Sequence, residues 1–339
     1  MKPSAIIKTK KLGFPWETQD PFLFCVHHLD FYPEGNGKLG PKASLAGRNI
    51  GNDFVTKDGW RMYHGDTVPG FPSHPHRGFE TVTFVLQGIV DHADSNGEAG
   101  RYGNGDVQWM TAGRGLQHSE MFPLLKENEK NTTELFQIWL NLPAKNKFVT
   151  PAFKMLWEDS IPKIKFKDIN LKNIEIELVA GNYKNYSAPD PAPDSWAANP
   201  ENEVNIWQIK LEENAVWEIP TATGKVNRSL YFFEGESIEV ESNTVAVNQV
   251  LELNAGIEIN IKNGNKPARL LLLQGKPLNE PVEQYGPFVM NNMAEIKEAF
   301  ADYRKTQFGG WPWNRSDMVH GNETGRFARF SDGTEIFKD

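Results

Sequence analysis

The chain has 339 residues, 39% hydrophobic and 24% charged, a globular composition sized for one large or two medium domains. A formal net charge of −8 argues against a general binder of nucleic-acid backbone, and the single cysteine, Cys25, excludes an internal disulfide and every Cys-cluster metal site. No apolar run approaches the roughly 18 residues of a spanning helix, and the charged N-terminus lacks the apolar stretch of a secretion signal, so a cytoplasmic location and no membrane partner are expected.

Taken in order, residues 1–20 read as a polar arm. Strand-like runs begin with Phe-Leu-Phe-Cys-Val at 22–26 and continue at 78–86, 107–111 and 135–142. Gly- and Asn-rich turns at 94–100 and 103–106 separate them. The 29 Gly and 22 Pro are scattered among these short runs, which predicts an all-β fold of sandwich or barrel type. Residues 151–173 read as a linker, and a second β-rich region starts near Ile174. Within it, SAPDPAPDSWAANP (187–200) carries too many prolines for strand pairing and reads as a surface loop.

The two halves look related. The stretch from Phe84 to Gly88 resembles Tyr231 to Gly235, Val107–Gly113 resembles Val250–Gly256, and Glu134–Leu140 resembles Ala268–Gln274. The matches fall in the same order, which predicts a tandem duplication of one β-domain. A short helix follows, with Asn292 as its cap, Glu295 three residues on, and Met293, Ile296, Phe300 and Tyr303 as its apolar stripe. Gly309 and Gly310 are expected to stop it, and residues 309–339 are a tail whose Trp311 and Trp313 are expected to dock on the body.

The histidines carry the chemistry. Seven of the eight lie in the first 118 residues, and none lies between Ser119 and Val319. His74-Pro75-His76 and His118-Ser119-Glu120 each place two ligand types at i and i+2, on one face of a strand. On neighbouring strands the two triplets would offer three imidazoles and a carboxylate to one divalent first-row metal, with room for water or substrate. Fe, Mn, Co, Ni and Cu all suit that set, and affinity order alone favours Cu. Ordinary imidazoles, titrating near 6.5, would release the metal below about pH 6. His27, His28, His64 and His92 read as structural or surface residues, and Glu80 as an acceptor for a histidine N–H. Phe71, Phe79, Trp109, Met110 and Phe136 read as barrel core before pocket wall.

HPHRGFETVTFVLQG (74–88) followed by GDVQWMTAGRGLQHSEM (105–121) closely resembles the pirin family of the cupin superfamily, and GKPLNEPVEQYGPFVMN (275–291) looks like the pirin C-terminal domain. The resemblance implies two tandem cupin barrels (double-stranded β-helix, or jelly-roll) packed together. The N-terminal, metal-binding barrel would span 21–150, and a metal-free C-terminal barrel would span 174–308 and end in the short helix. It implies iron, Fe(II), held by His74, His76, His118 and Glu120, the four residues that spacing selects. For activity it implies a quercetin 2,3-dioxygenase-like oxidoreductase, taking a small aromatic flavonol and O2, with Glu120 accepting the substrate's hydroxyl proton. The alternative it implies is a metal-dependent redox sensor or transcription cofactor acting through protein partners without catalysis, and a third is a bicupin whose metal is vestigial or structural.

Overall fold

Strand follows strand in the computed structural model, which describes residues 3–338. The first half carries β1 (Ile6–Lys11), β2 (Phe22–Tyr32), β3 (Gly70–His76), β4 (Phe79–Gln87), β5 (Ile89–Asp94), β6 (Ala99–Gly103), β7 (Val107–Thr111), β8 (Leu116–Met121), β9 (Asn131–Asn141) and β10 (Ala152–Leu156). The second carries β11 (Lys163–Lys167), β12 (Asn173–Ala180), the two-residue β13 (Asn182–Tyr183) and β14 (Tyr186–Ser187), β15 (Asn205–Leu211), β16 (Val216–Ile219), β17 (Asn227–Glu234) and β18 (Ser237–Val240). After them come β19 (Asn243–Ala246), β20 (Gln249–Leu253), β21 (Ile259–Asn263), β22 (Ala268–Gly275), β23 (Glu283–Tyr285), β24 (Phe288–Met290), the helix α1 (Met293–Thr306), β25 (Phe327–Arg329) and β26 (Glu335–Phe337).

The chain divides into two compact units that are not consecutive stretches of sequence. One comprises residues up to Val26 together with Asp159–Asn279, and the other comprises His27–Glu158 together with everything from Glu280 onward. All eight histidines belong to the second.

The histidine-bearing unit is built from a five-stranded sheet, β10-β7-β4-β9-β2, and a six-stranded sheet, β26-β25-β6-β5-β8-β3. Its core holds Val85, Val90, Tyr102, Leu135 and Phe153. The histidine-free unit has a seven-stranded sheet, β1-β20-β17-β22-β15-β12-β11, and a four-stranded one, β16-β21-β18-β19. There Leu178, Trp207, Ile209, Leu230, Ile261 and Leu270 form the core.

The duplication read from sequence is visible in this topology. β7-β4-β9 and β20-β17-β22 hold the same places in their sheets, and the three sequence matches lie on those strands. The smaller sheets agree as well, since β3-β8-β5-β6 runs in the same order as β16-β21-β18-β19. The edge strands are recruited differently. β10 pairs with β7 in one unit, whereas β1 from the expected polar arm pairs with β20 in the other, from Lys11 opposite Gln249 to Ile6 opposite Leu253. An open edge is a liability that a short charged strand relieves, and β1 reads IIKTKK.

The helix begins where its cap predicts, with the Asn292 side chain accepting from Glu295 N at 3.1 Å. It ends before the glycines, with Gln307 and Phe308 in the left-handed region. Ile296 and Ala299 are buried, Phe300 and Tyr303 half-buried, and Met293 is exposed. Residues 310–338 run along the six-stranded sheet and supply its strands β25 and β26. Trp313 Nε1 donates to Asp94 O at 2.8 Å, Ser73 N to Ser316 O at 2.8 Å, and β25 pairs with β6. Beneath them Arg101, bidentate to Asp91 at 2.6 and 2.8 Å, donates to the carbonyls of His320, Gly321 and Thr324.

Candidate metal centre

β3 and β8 are antiparallel neighbours, and their register sets His74 directly opposite His118. His76 stands two residues further along β3, on the face that His74 uses. The three imidazole centroids lie 4.8 Å (His74–His76), 4.5 Å (His74–His118) and 5.0 Å (His76–His118) apart. One ring nitrogen from each falls within 4.8 Å of the others. Histidine triplets in two distant segments thus meet because two strands pair.

Their hydrogen bonds select the tautomer. His74 Nδ1 sits 2.9 Å from Pro72 O and His76 Nδ1 3.3 Å from Pro287 O, so each Nδ1 carries the proton and each Nε2 keeps its lone pair. His118 is fully buried, and neither of its ring nitrogens has a hydrogen-bond partner. Leaving such a group unpartnered costs roughly 1–3 kcal/mol, which a bond to a metal would offset. Burial lowers the pKa of all three, that of His74 to about 4 and those of His76 and His118 well below the ordinary 6.5. At neutral pH the centre therefore holds three uncharged imidazoles, the form that ligates. The residues fit a divalent cation.

Glu120 adjoins this trio, with Oε2 3.8 Å from His118 Nε2. Its carboxyl belongs to a closed set of contacts. Thr83 Oγ1 lies 2.8 Å from Glu120 Oε1 and 2.6 Å from Gln137 Oε1, while Gln137 Nε2 donates to Glu120 Oε2 at 3.1 Å. The one Thr83 hydroxyl proton serves only one acceptor. Gln137 Nε2 donates to the carboxylate whichever of the two that proton serves. Burial raises the Glu120 pKa, against the hydrogen bonds from Thr83 and Gln137.

The other sequence candidates fall around this centre. Glu80, expected to accept a histidine N–H, accepts from Trp109 Nε1 at 3.1 Å and Thr111 Oγ1 at 2.7 Å. The histidine N–H groups go to Pro72 and Pro287 carbonyls. Phe79, Trp109, Met110 and Phe136 are fully buried core, as expected. Phe71 is half-buried, with its ring 5.0 Å from Tyr63 and 6.3 Å from His74. His28 contacts Tyr63, Nδ1 to the phenol oxygen at 2.7 Å, and His27 contacts Glu134 at 2.8 Å. His92 faces Glu120 across β5 and β8, its ring 5.6 Å from His118, and His320 reaches back to His92 O at 3.0 Å.

Sequence reading missed Thr83, Gln137 and Pro287. Thr83 and Gln137 are Cα partners on β4 and β9, a pairing that only the register reveals. Pro287 lies 211 residues from His76. Its segment is held in place by Lys147, whose Nζ donates to Gly78 O and Asn141 Oδ1 at 2.8 Å and to Val289 O at 3.1 Å.

Comparison with known proteins agrees with this architecture. The Pirin family matches residues 45–140, and the Pirin C-terminal cupin domain matches residues 206–309. The chain belongs to the pirin family. A pirin-like protein of Solanum lycopersicum is 38% identical over 238 residues, 69% of this chain and 75% of its own length. A pirin-like protein of Caulobacter vibrioides is 34% identical over 247 residues, 72% of this chain and 82% of its own. Among solved structures, a quercetin 2,3-dioxygenase from Acinetobacter baumannii superposes with a TM-score of 0.69 at 29% identity, covering 93% of this chain and 99% of that one. The two units are accordingly the two cupin domains of a pirin. No helix among the described residues is long and apolar enough to cross a membrane.

Proposed function

We propose that this pirin is a metal-dependent dioxygenase of quercetin-type flavonols, using O2, with His74, His76, His118 and Glu120 holding the metal and iron as the ion. The observation that carries the reading is the trio of uncharged imidazoles, two buried and one half-buried, beside a carboxyl whose pKa burial raises. The Acinetobacter baumannii quercetin 2,3-dioxygenase, similar over nearly the whole chain, supports the substrate class.

A bound first-row metal supplies Lewis-acid stabilisation of a deprotonated hydroxyketone and access to O2 chemistry. The chain does the rest. Glu120 accepts the substrate's hydroxyl proton, and the contacts of Thr83 and Gln137 hold its carboxyl in a single orientation. Pro72 and Pro287 fix the imidazole planes of His74 and His76 through their carbonyls. His74 and Phe71 are the half-buried side of the centre, where a flat aromatic substrate would enter against the Phe71 ring.

The test is O2 consumption and carbon monoxide release with quercetin by iron-loaded protein. Turnover that Glu120→Gln removes, assayed at a metal concentration that saturates the variant, is the expected result. A fully loaded protein that consumes no O2 with any flavonol overturns the enzymatic reading.

A further inference from the structure

The histidine-free unit contains a cavity of about 550 Å³, a volume suited to a small-molecule ligand. Nearly half of its wall is the proline-rich segment read from sequence as a surface loop. That segment is anchored: Trp196 Nε1 donates to Lys276 O at 2.8 Å, Asn202 Nδ2 to Trp196 O at 2.8 Å, and the Ser195 side chain caps the turn at Trp196–Ala198. The cavity has a topological counterpart in the other unit. Pro220, Thr221 and Ala222 of its wall follow β16 and lead towards β17, as His74 and His76 close β3 ahead of β4. The duplicated domain has kept a hollow at this end of its barrel while lacking every histidine.

The donors around this cavity indicate what it takes. Arg228, on β17, borders it and is only 2% exposed. Its Nε donates to Gln274 Oε1 at 2.7 Å, and its Nη1 is buried without a partner. Trp207, which also lines the cavity, has a buried indole N–H in the same condition. A buried guanidinium normally has a carboxylate beside it. Glu203 acts on Arg228 only as a nearby charge, and its Oε2 accepts from Thr223 N at 3.2 Å and Thr223 Oγ1 at 3.0 Å. Asp190, the other acidic residue of the wall, is exposed. Burial lowers the Arg228 pKa to about 10, the direction expected of a cation whose counter-charge is incomplete. Four prolines and four alanines give the wall an apolar side, and asparagine, serine and threonine side chains line much of the rest.

We propose that this cavity is a second ligand site, for a small carboxylic acid whose carboxylate pairs with Arg228 and whose apolar body lies against the proline-rich wall. The site does not depend on the metal or on the dioxygenase reading. The test is a titration of the full-length protein with benzoate, followed by protein-detected NMR or calorimetry, with benzamide as the uncharged isostere. Benzoate also has affinity for metals, so His118→Ala serves as a control that disables the other centre. Arg228→Gln removes the charge, and Ala198→Phe fills the hollow from the anchored loop without touching the barrel core. Saturable benzoate binding is expected, weakened at least about tenfold by either pocket variant and by exchange for benzamide, and unaffected by His118→Ala. Binding that both pocket variants leave unchanged, that His118→Ala abolishes, or that does not saturate with benzoate or the smaller acetate overturns the proposal.

Discussion

Replacing His118 by alanine separates the centre's role in metal binding from its role in the fold. His118 is fully buried, yet neither ring nitrogen meets a protein partner, so alanine breaks no protein hydrogen bond. Lost packing costs roughly 1–3 kcal/mol, at the low end of large-to-small core changes. Relief of the unpartnered ring nitrogens returns a similar amount, roughly 1–3 kcal/mol. The metal-free variant should therefore unfold within about 2 kcal/mol of the parent. Loss of one imidazole from the trio should weaken metal binding by at least about 100-fold, or ~2.7 kcal/mol. Denaturant unfolding of both proteins, in chelator and in saturating Fe(II) or Mn(II), reads the two quantities together. Metal should stabilise the parent strongly and the variant little. The reasoning fails if the variant keeps full metal occupancy, or if it is as destabilised in chelator as in metal.

Acid provides a second test. His74 titrates near 4 in the folded chain and near 6.5 in the unfolded one, so the unfolded chain binds the proton first. The metal-free protein should keep its stability above pH 6.5 and lose it progressively towards pH 4, by at most about 3 kcal/mol from His74, measured by urea unfolding at a series of pH values. Bound metal should persist to a lower pH than the value near 6 that ordinary imidazoles give, because burial holds the ligands neutral; release at pH 6 would contradict the burial of the trio. Lys147→Met should destabilise the protein by about 2–4 kcal/mol, since it strands Gly78 O, Asn141 Oδ1 and Val289 O beside the segment that carries Pro287. A variant as stable as the parent by thermal unfolding would show that water satisfies those acceptors.

Periodicity and turn residues made the strands legible. Val107–Thr111 is observed with the bounds read from sequence, and Phe79–Gln87 is shifted by a single residue at each end. The helix cap was equally clear, because Asn292 and Glu295 interact locally. Its end was not, because Gln307 and Phe308 enter the left-handed region ahead of the glycines. The origin of the edge strands was also hidden. Nothing within IIKTKK reveals that it pairs with residues some 240 positions away, since strand pairing depends on a partner that the segment does not encode.

By itself, the sequence determined the chemistry available: three imidazoles and a carboxylate at i, i+2 spacing in one half of a duplicated β-chain, and none in the other. Strand alternation is a local rule, so it can be read without a partner. The tertiary structure decided which atoms of those residues are free to act. Pro72 and Pro287 carbonyls set the tautomers, Thr83 and Gln137 enclose Glu120, and burial keeps the imidazoles uncharged. Those effects arise from register, long-range contact and exclusion of water, and such quantities exist only once the chain has folded.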